Sequence, residues 1–307
     1  MAQDTMNAPV DTLTCLDSAE GEGWALYQGD CVEVARQLPD NSVDFSVYSP
    51  PFANLYTYSD SERDMGNCAD DGEFFAHYRF LIAEMHRVLR PGRLVSVHCK
   101  DLVNYKGRDG MAGLRDFPGD IIRAHQDAGF AFHSRVTIWK SPVIEMQRTK
   151  AHGLLYKQLR GDSTFSRQGL ADYVLTFRKW ATEGQESFVK PVTQTQEGFP
   201  LAQWQDWASP VWMDIDQTDV LNIELAREGD DEKHICPLQL GVIERCVRLW
   251  SNPGDVVLSP FAGIGSEGVV SVRAGRKFVG VELKGTYFDR ARLNLEATKV
   301  RQLGLAL

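Results

Sequence analysis

Two apolar runs in this 307-residue chain each stop at a loop built from proline or glycine, and that pairing constrains the fold more than any other feature. Val43 to Tyr48 delivers Ser49-Pro50-Pro51-Phe52, and Val256 to Leu258 delivers Ser259-Pro260-Phe261-Ala262-Gly263-Ile264-Gly265. A short apolar run broken by Pro or Gly reads as a buried strand handing its last residues to a loop at the sheet edge. In open α/β sheets that carboxyl edge is where ligands bind. The first loop is stiff and sets a small hydroxyl beside an aromatic ring. The second can bring backbone N–H groups against a nucleoside. Together they read as a catalytic loop and a cofactor loop on one sheet.

The rest of the chain supplies the sheet. Trp24 to Gln28 reads as a strand and Cys31 to Leu38 as a helix capped by Asp30. Phe74, Tyr78, Leu81, Met85 and Val88 recur at steps of three and four, which predicts an amphipathic helix ended by Pro91-Gly92. Further strands are expected at Leu94–His98, Ala131–Trp139, Tyr173–Phe177, Asp255–Leu258 and Phe278–Leu283. Helices are expected at Ile121–Ala128, along Leu238, Val242, Cys246 and Leu249, from about Gly265, and from Thr286. Strand and helix alternate with crossover-length connections, so the fold class is α/β with a mostly parallel sheet and helices on both faces. The alternation fails after Lys140. There the chain turns basic, and a polar Thr/Gln/Glu/Pro segment and the group Trp204, Trp207 and Trp212 follow. The tryptophans read as core rather than as a stacking platform.

Gly263-x-Gly265-x-x-Gly268 matches a dinucleotide fingerprint, and Glu282 ends the next strand 19 residues after Gly263. A carboxylate there accepts hydrogen bonds from ribose hydroxyls. Glycine is needed where a Cβ would hold a cofactor off the backbone or block positive φ. Both NAD and S-adenosylmethionine enzymes use this logic. Pro260-Phe261 directly before the glycines is bulky for the NAD version, whose helix must face a pyrophosphate.

Composition narrows the class. The net charge of −9 argues against a nucleic-acid binder, yet charge is segregated. From Arg135 to Lys179 nine Lys/Arg stand against three acids. That excess is either a solvated face or a phosphate footprint. The six cysteines form no Cys-x-x-Cys pair, so no metal is expected. No apolar run reaches membrane-spanning length, and Met1–Leu16 has no basic-then-apolar secretory pattern, so a cytoplasmic protein is expected.

Ser-Pro-Pro-Phe followed by Ser-Pro-Phe-Ala-Gly-Ile-Gly resembles the catalytic and cofactor motifs of amino-group DNA methyltransferases. Catalytic motif first and cofactor motif last is similar to the circularly permuted β group. Gly29-Asp30, Leu38 to Asp44, Val88 to Gly92, Gly129-Phe130, Ile138 to Lys140 and His234 to Leu238 resemble further family segments. The polar loop Leu55 to Asp64 is similar to methyltransferases carried by phages and prophages. The match covers about 24–140 and 232–300. Two residue choices bear on the details. Ser259 stands where the family usually has Asp, and Ser-Pro-Pro is commoner in N4-cytosine enzymes than in adenine ones.

The resemblance implies a permuted Rossmann-like methyltransferase fold, S-adenosyl-L-methionine as cofactor, DNA as partner, and methylation of N4 of cytosine ahead of N6 of adenine. Modification against restriction is the implied role. Ser49 Oγ and the Pro50 carbonyl would accept from the target amino group, Pro51 would stiffen the loop, and Phe52 would stack on an extruded base. Asp30 would lie near the cofactor adenine, His234 and Pro237 near its methionine part, and Ser259, Pro260, Phe261, Gly263, Gly265 and Glu282 around the rest. Arg63, Arg148, Lys150, Lys157, Arg160 and Arg167 are the expected DNA contacts. The expected division is a flexible 1–15, a catalytic half 16–140, a DNA-recognition insert 141–234 and a cofactor half 235–307. The oligomeric state stays open, a homodimer included. Three other readings stay open as well. They are a protein or RNA amino-group methyltransferase, an NAD-dependent oxidoreductase, and an inactive DNA-binding protein on this scaffold.

Overall fold

The computed structural model describes residues 14–52, 64–149, 154–222 and 237–304. In chain order the strands are β1 (Asp17–Gly21), β2 (Trp24–Gln28), β3 (Val43–Tyr48), β4 (Leu89–Lys100), β5 (Leu102–Asn104), β6 (Gly113–Arg115), β7 (Ala131–Ile138), β8 (Asp172–Arg178), β9 (Val211–Trp212), β10 (Val256–Ser259) and β11 (Lys277–Glu282). The helices are α1 (Cys31–Gln37), α2 (Asp71–Val88), α3 (Lys106–Asp109), α4 (Phe117–Asp127), α5 (Pro142–Thr149), α6 (Tyr156–Gly161), α7 (Leu201–Trp207), α8 (Leu240–Trp250), α9 (Ser266–Arg273) and α10 (Gly285–Gly304). No helix among the described residues is long and apolar enough to cross a membrane.

Nine strands form one sheet in the order β1-β2-β11-β10-β3-β4-β8-β7-β9. From β2 to β4 every pair is parallel. All six residues of β3 are buried, as a central parallel strand covered on both faces requires. Phe45 and Val47 join the cluster around α8, and Tyr48 joins the cluster under α1, α2 and α4. Polar Ser46 is accommodated because its hydroxyl donates to the Leu258 carbonyl at 2.7 Å, tying β3 to β10.

The chain leaves β3 toward β4 but leaves β10 toward β11, so the sheet reverses direction between these two neighbours. That is the topological switch point, and both motif loops leave from it on the same edge. Helix ends obey local chemistry. Asp30 accepts from the N–H groups of Val32 and Glu33, and Asp70 accepts from Glu73 N–H. Along α2, Phe74, Tyr78, Leu81, Met85 and Val88 are buried in one stripe. Full burial of such a side chain contributes about 1.5–3 kcal/mol relative to exposure.

Three expectations need correction. The helix stops at Val88, just before Pro91-Gly92, but the next strand starts at Leu89 and does not wait for Leu94. That strand, β4, absorbs the pair as an irregularity: Val43 faces Leu89 while Phe45 faces Leu94, and Gly92 takes φ +81. The helix near Ile121 begins earlier, at Phe117, because Asp116 caps it through Gly119 N–H and Pro118 suits the first turn. Residues 141–234 are not one insert. β8 lies between β4 and β7, antiparallel to both, and is a core strand. Beyond it, Lys190 Nζ bonds Asp255 Oδ1 at 2.6 Å and buried Arg93 pairs with Asp255, so this stretch is anchored under β10. Among the described residues, those of α5, α6 and α7 are not part of the sheet.

Candidate functional site

One cavity opens at the switch point, walled by both loops. Ser49, Pro50, Pro51 and Phe52 line it from β3, and Pro260, Phe261 and Gly263 from β10. Asp30 enters from the start of α1, Glu282 from the end of β11, and Pro237 from the segment before α8. Residues more than two hundred positions apart meet there because β3 and β10 are parallel neighbours.

The cofactor loop is shaped by its glycines. Gly263 and Gly265 have φ of +53 and +88, a region closed to most side chains. Glu282 holds the turn: its Oε2 accepts from Gly263 N–H at 2.7 Å and its Oε1 from Lys284 N–H at 2.9 Å. Burial pushes this carboxyl up to about 7, against the pull of those two N–H groups, and the charge on Asp64 adds to the rise. Asp30 uses one oxygen, Oδ1, for both cap bonds at 2.9 and 3.0 Å.

Gly268 has a different task. A Cβ there would stand 2.6 Å from the Phe278 ring and 2.8 Å from Leu295 Cδ2, so this glycine lets α9 sit against β11 and α10. Gly268→Ala is therefore expected to destabilise the fold by about 1–3 kcal/mol through overpacking. Denaturant unfolding monitored by circular dichroism checks this, and an unchanged midpoint would refute it.

Two expected cofactor residues stand off the cavity wall. Ser259 is fully buried, and its hydroxyl has no hydrogen-bond partner among the described residues. Gly265 lies behind the loop, 3.2 Å from Ala291 for a notional Cβ, and acts as the left-handed start of α9. His234, Arg63 and Lys150 lie outside the described residues.

The basic stretch is divided by the fold. Lys157 and Arg160 are exposed on α6. Arg148 is on α5, its side chain outside the described set. Arg167 donates to the Gly113 carbonyl at 2.6 Å and is partly committed to β6. Lys179 is buried and donates to Asn41 and to the Leu89 carbonyl, so its charge serves the core. Among the tryptophans, Trp212 is buried and donates to the Trp207 carbonyl, whereas Trp204 is 42% exposed.

Sequence reasoning missed the far wall. His98 and Lys100 from β4, Asp172 from β8, Lys140 after β7 and Glu267 from α9 also line the cavity. Burial pushes the Glu267 carboxyl up to about 8, with the Glu282 charge adding to it. Phe52 packs edge-on against Phe117, with its ring centroid 6.0 Å from Lys100 Nζ. No local pattern marks these residues, since they sit in or just after strands, or in an ordinary helix turn.

The residues present fit S-adenosylmethionine. Positive-φ glycines leave room for a nucleoside, and a carboxylate pair at strand and helix ends suits its hydroxyls and base. A family model described as DNA methylase, of the N6/N4 class, matches residues 43–293. The chain is 27% identical over 272 residues to the type II methyltransferase M.BglII of Bacillus subtilis, covering 87% of this chain and 67% of that protein. It is 26% identical over 289 residues to M.BamHI of Bacillus amyloliquefaciens, covering 91% of this chain but 59% of that relative's length. Among solved structures, one described as a DNA modification methylase of Thermus thermophilus, complexed with S-adenosyl-L-methionine, aligns with TM-score 0.64 at 25% identity, covering 89% and 93% of the two chains.

Proposed function

The chain belongs to the N6/N4 DNA methylase family, and from that premise we propose that it methylates the exocyclic amino group of a DNA base, N4 of cytosine ahead of N6 of adenine. One observation carries the reading: the Ser49 loop and the Gly263 loop open into a single cavity from adjacent parallel strands. When bound, S-adenosyl-L-methionine supplies a methyl on a sulfonium sulfur, which keeps the C–S electron pair as the amino nitrogen attacks.

The protein's share is positioning and charge. An amino nitrogen on a base is a poor nucleophile because its lone pair is delocalised into the ring. Acceptors on its N–H groups favour the pyramidal form, and Ser49 Oγ and the Pro50 carbonyl are suited to that role. Phe52 offers an aromatic surface at the mouth of the cavity for an extruded base. Glu282, Asp30 and the glycine turn would hold the nucleoside part of the cofactor. The oxidoreductase reading is disfavoured by Glu267. A buried carboxyl in the first turn of α9 occupies the place where a pyrophosphate needs a free helix N-terminus. The setting we infer is the cytoplasm of a bacterial or phage-infected cell, with modification against restriction as the role. Mass spectrometry of nucleosides from host DNA, with and without the gene, tests the reading. N4-methylcytosine is expected, N6-methyladenine would change the target base, and no modified base would overturn the proposal.

The DNA contacts are tested by salt. Each neutralised phosphate steepens the dependence of log affinity on log salt by about 0.9. Replacing Lys157 and Arg160 by Ala is expected to make that slope shallower by roughly two units and leave cofactor affinity unchanged. Exposed Arg273 and Lys277, at the end of α9 and start of β11, are the control pair. If both pairs act alike, α6 is not a DNA-contacting element.

A further inference from the structure

Ser49 is held by a chain of side chains that a simple hydrogen-bond acceptor does not need. Its Oγ lies 3.1 Å from His98 Nδ1. On the other side of the ring, His98 Nε2 lies 3.2 Å from Asp172 Oδ2 in a bent contact, and Lys140 Nζ lies 2.9 Å from the same oxygen. His98, Lys140 and Asp172 are each 8% exposed, and all of them line the cavity with Ser49. Burial alone would raise the Asp172 carboxyl, but His98, then Lys140 and Lys100, hold it well below the usual carboxylate range. An ionised Asp172 beside Nε2 favours the proton on that nitrogen and leaves a lone pair on Nδ1. Nδ1 then accepts the Ser49 hydroxyl proton, and the Ser49 lone pairs are free to face the cavity.

We infer that Ser49, His98 and Asp172 form a proton relay that removes the proton shed by the target amino group. The inference rests on the amino-methylation reading proposed above. Methylation leaves the amino nitrogen with one N–H bond too many. As that bond breaks, its electron pair stays on nitrogen and the proton passes to Ser49 Oγ. The original hydroxyl proton of Ser49 passes to His98 Nδ1 in the same movement. The imidazolium is stabilised by Asp172, as a carboxylate stabilises the histidine of a serine-type triad, and it returns its proton to water. His98 acts through Ser49 and is a positioning residue. Lys140 keeps Asp172 ionised.

A buried His–Asp pair that only joins β4 to β8 would give the same distances, so the test must separate the two roles. The first measurement needs no cofactor: long-range proton–nitrogen NMR of the full chain, with the His98 signals identified by their loss in His98→Gln. The expected result is a proton on Nε2 and none on Nδ1. A proton on Nδ1 overturns the relay, because that nitrogen could not then take the Ser49 proton and the hydroxyl would be left with the His98 carbonyl, 3.5 Å away, as its acceptor.

The second measurement is single-turnover methyl transfer to DNA by His98→Ala. A rate about 10²-fold below wild type is expected, with S-adenosylmethionine affinity retained. Added imidazole should restore much of the rate, whereas pyrrole, which has the same shape but no basic lone pair, should not. Equal recovery with both, or a variant at the wild-type rate, overturns the relay and leaves the methylation reading standing. A wild-type protein that transfers no methyl overturns the methylation reading itself. If His98→Ala loses cofactor binding, the tautomer in the wild-type protein decides.

Discussion

Ser49→Ala is expected to lower the rate of methyl transfer by about 10²–10³-fold and to leave S-adenosylmethionine affinity within a few-fold of wild type. The expected size follows from the loss of one preorganised partner at an atom where charge develops. Ser49 is half-buried on the rigid end of β3 and is already oriented by His98 at 3.1 Å. Alanine keeps the strand, the two prolines and the cofactor loop, so binding and chemistry separate cleanly. Single-turnover kinetics with labelled methyl measure the chemical step, and calorimetry measures the cofactor. A variant that transfers at the wild-type rate would leave the acceptor role to the Pro50 carbonyl alone.

Glu282→Ala acts on the other half of the site. It is expected to weaken S-adenosylmethionine binding by about 1.5–3 kcal/mol, the cost of losing hydrogen bonds to a charged acceptor. That is roughly 10- to 150-fold in Kd. The loss includes the turn itself, because Gly263 N–H and Lys284 N–H would lose their acceptor. Glu282→Gln keeps the shape and isolates the charge.

The charge also sets a pH dependence. In the unbound protein the Glu282 carboxyl is pushed up from 4.5 to about 7 by burial. Such a shift stabilises the fold most below 4.5, and that contribution is lost as pH rises through about 7. Cofactor binding has the opposite sign. Ribose hydroxyls donate to the ionised form, so the complex favours the carboxylate and binding releases a proton. Affinity should therefore strengthen as pH rises through about 7 in the wild type and lose that component in Glu282→Gln. Calorimetry in buffers of different ionisation enthalpy counts the proton. Equal pH slopes in the two proteins would sink the ribose assignment.

Much of this site was legible in the chain because its signals are local. The strands at Trp24–Gln28 and Val43–Tyr48 fall where the sequence predicts them, each a short apolar-rich segment bounded by turn residues. Asp30 caps α1 because a carboxylate before a helix reaches N–H groups two and three residues on. Gly263 and Glu282 share one βαβ unit, so the sequence places both at one sheet edge, and the structure joins them directly, at 2.7 Å. Each of these inferences uses contacts within one element or across one crossover.

What the tertiary structure decided lies beyond that range. The chain alone shows a strand near Tyr173 but not that it enters the sheet between β4 and β7, because antiparallel pairing with a distant partner leaves no local mark. That placement brings Asp172 to His98 and Lys140, behind the Ser49–His98 contact that the pairing of β3 with β4 sets. It also turns part of the expected insert into core, and commits Lys179 and part of Arg167 to internal carbonyls rather than to phosphates. Pro91-Gly92 reads as a helix stop by its own chemistry, yet the pairing of β3 with β4 carries the strand through it. Propensity, capping and periodicity act over a few residues and are written in the sequence. Buried charge pairs and strand order arise only when distant segments are desolvated together, so folding alone decides them.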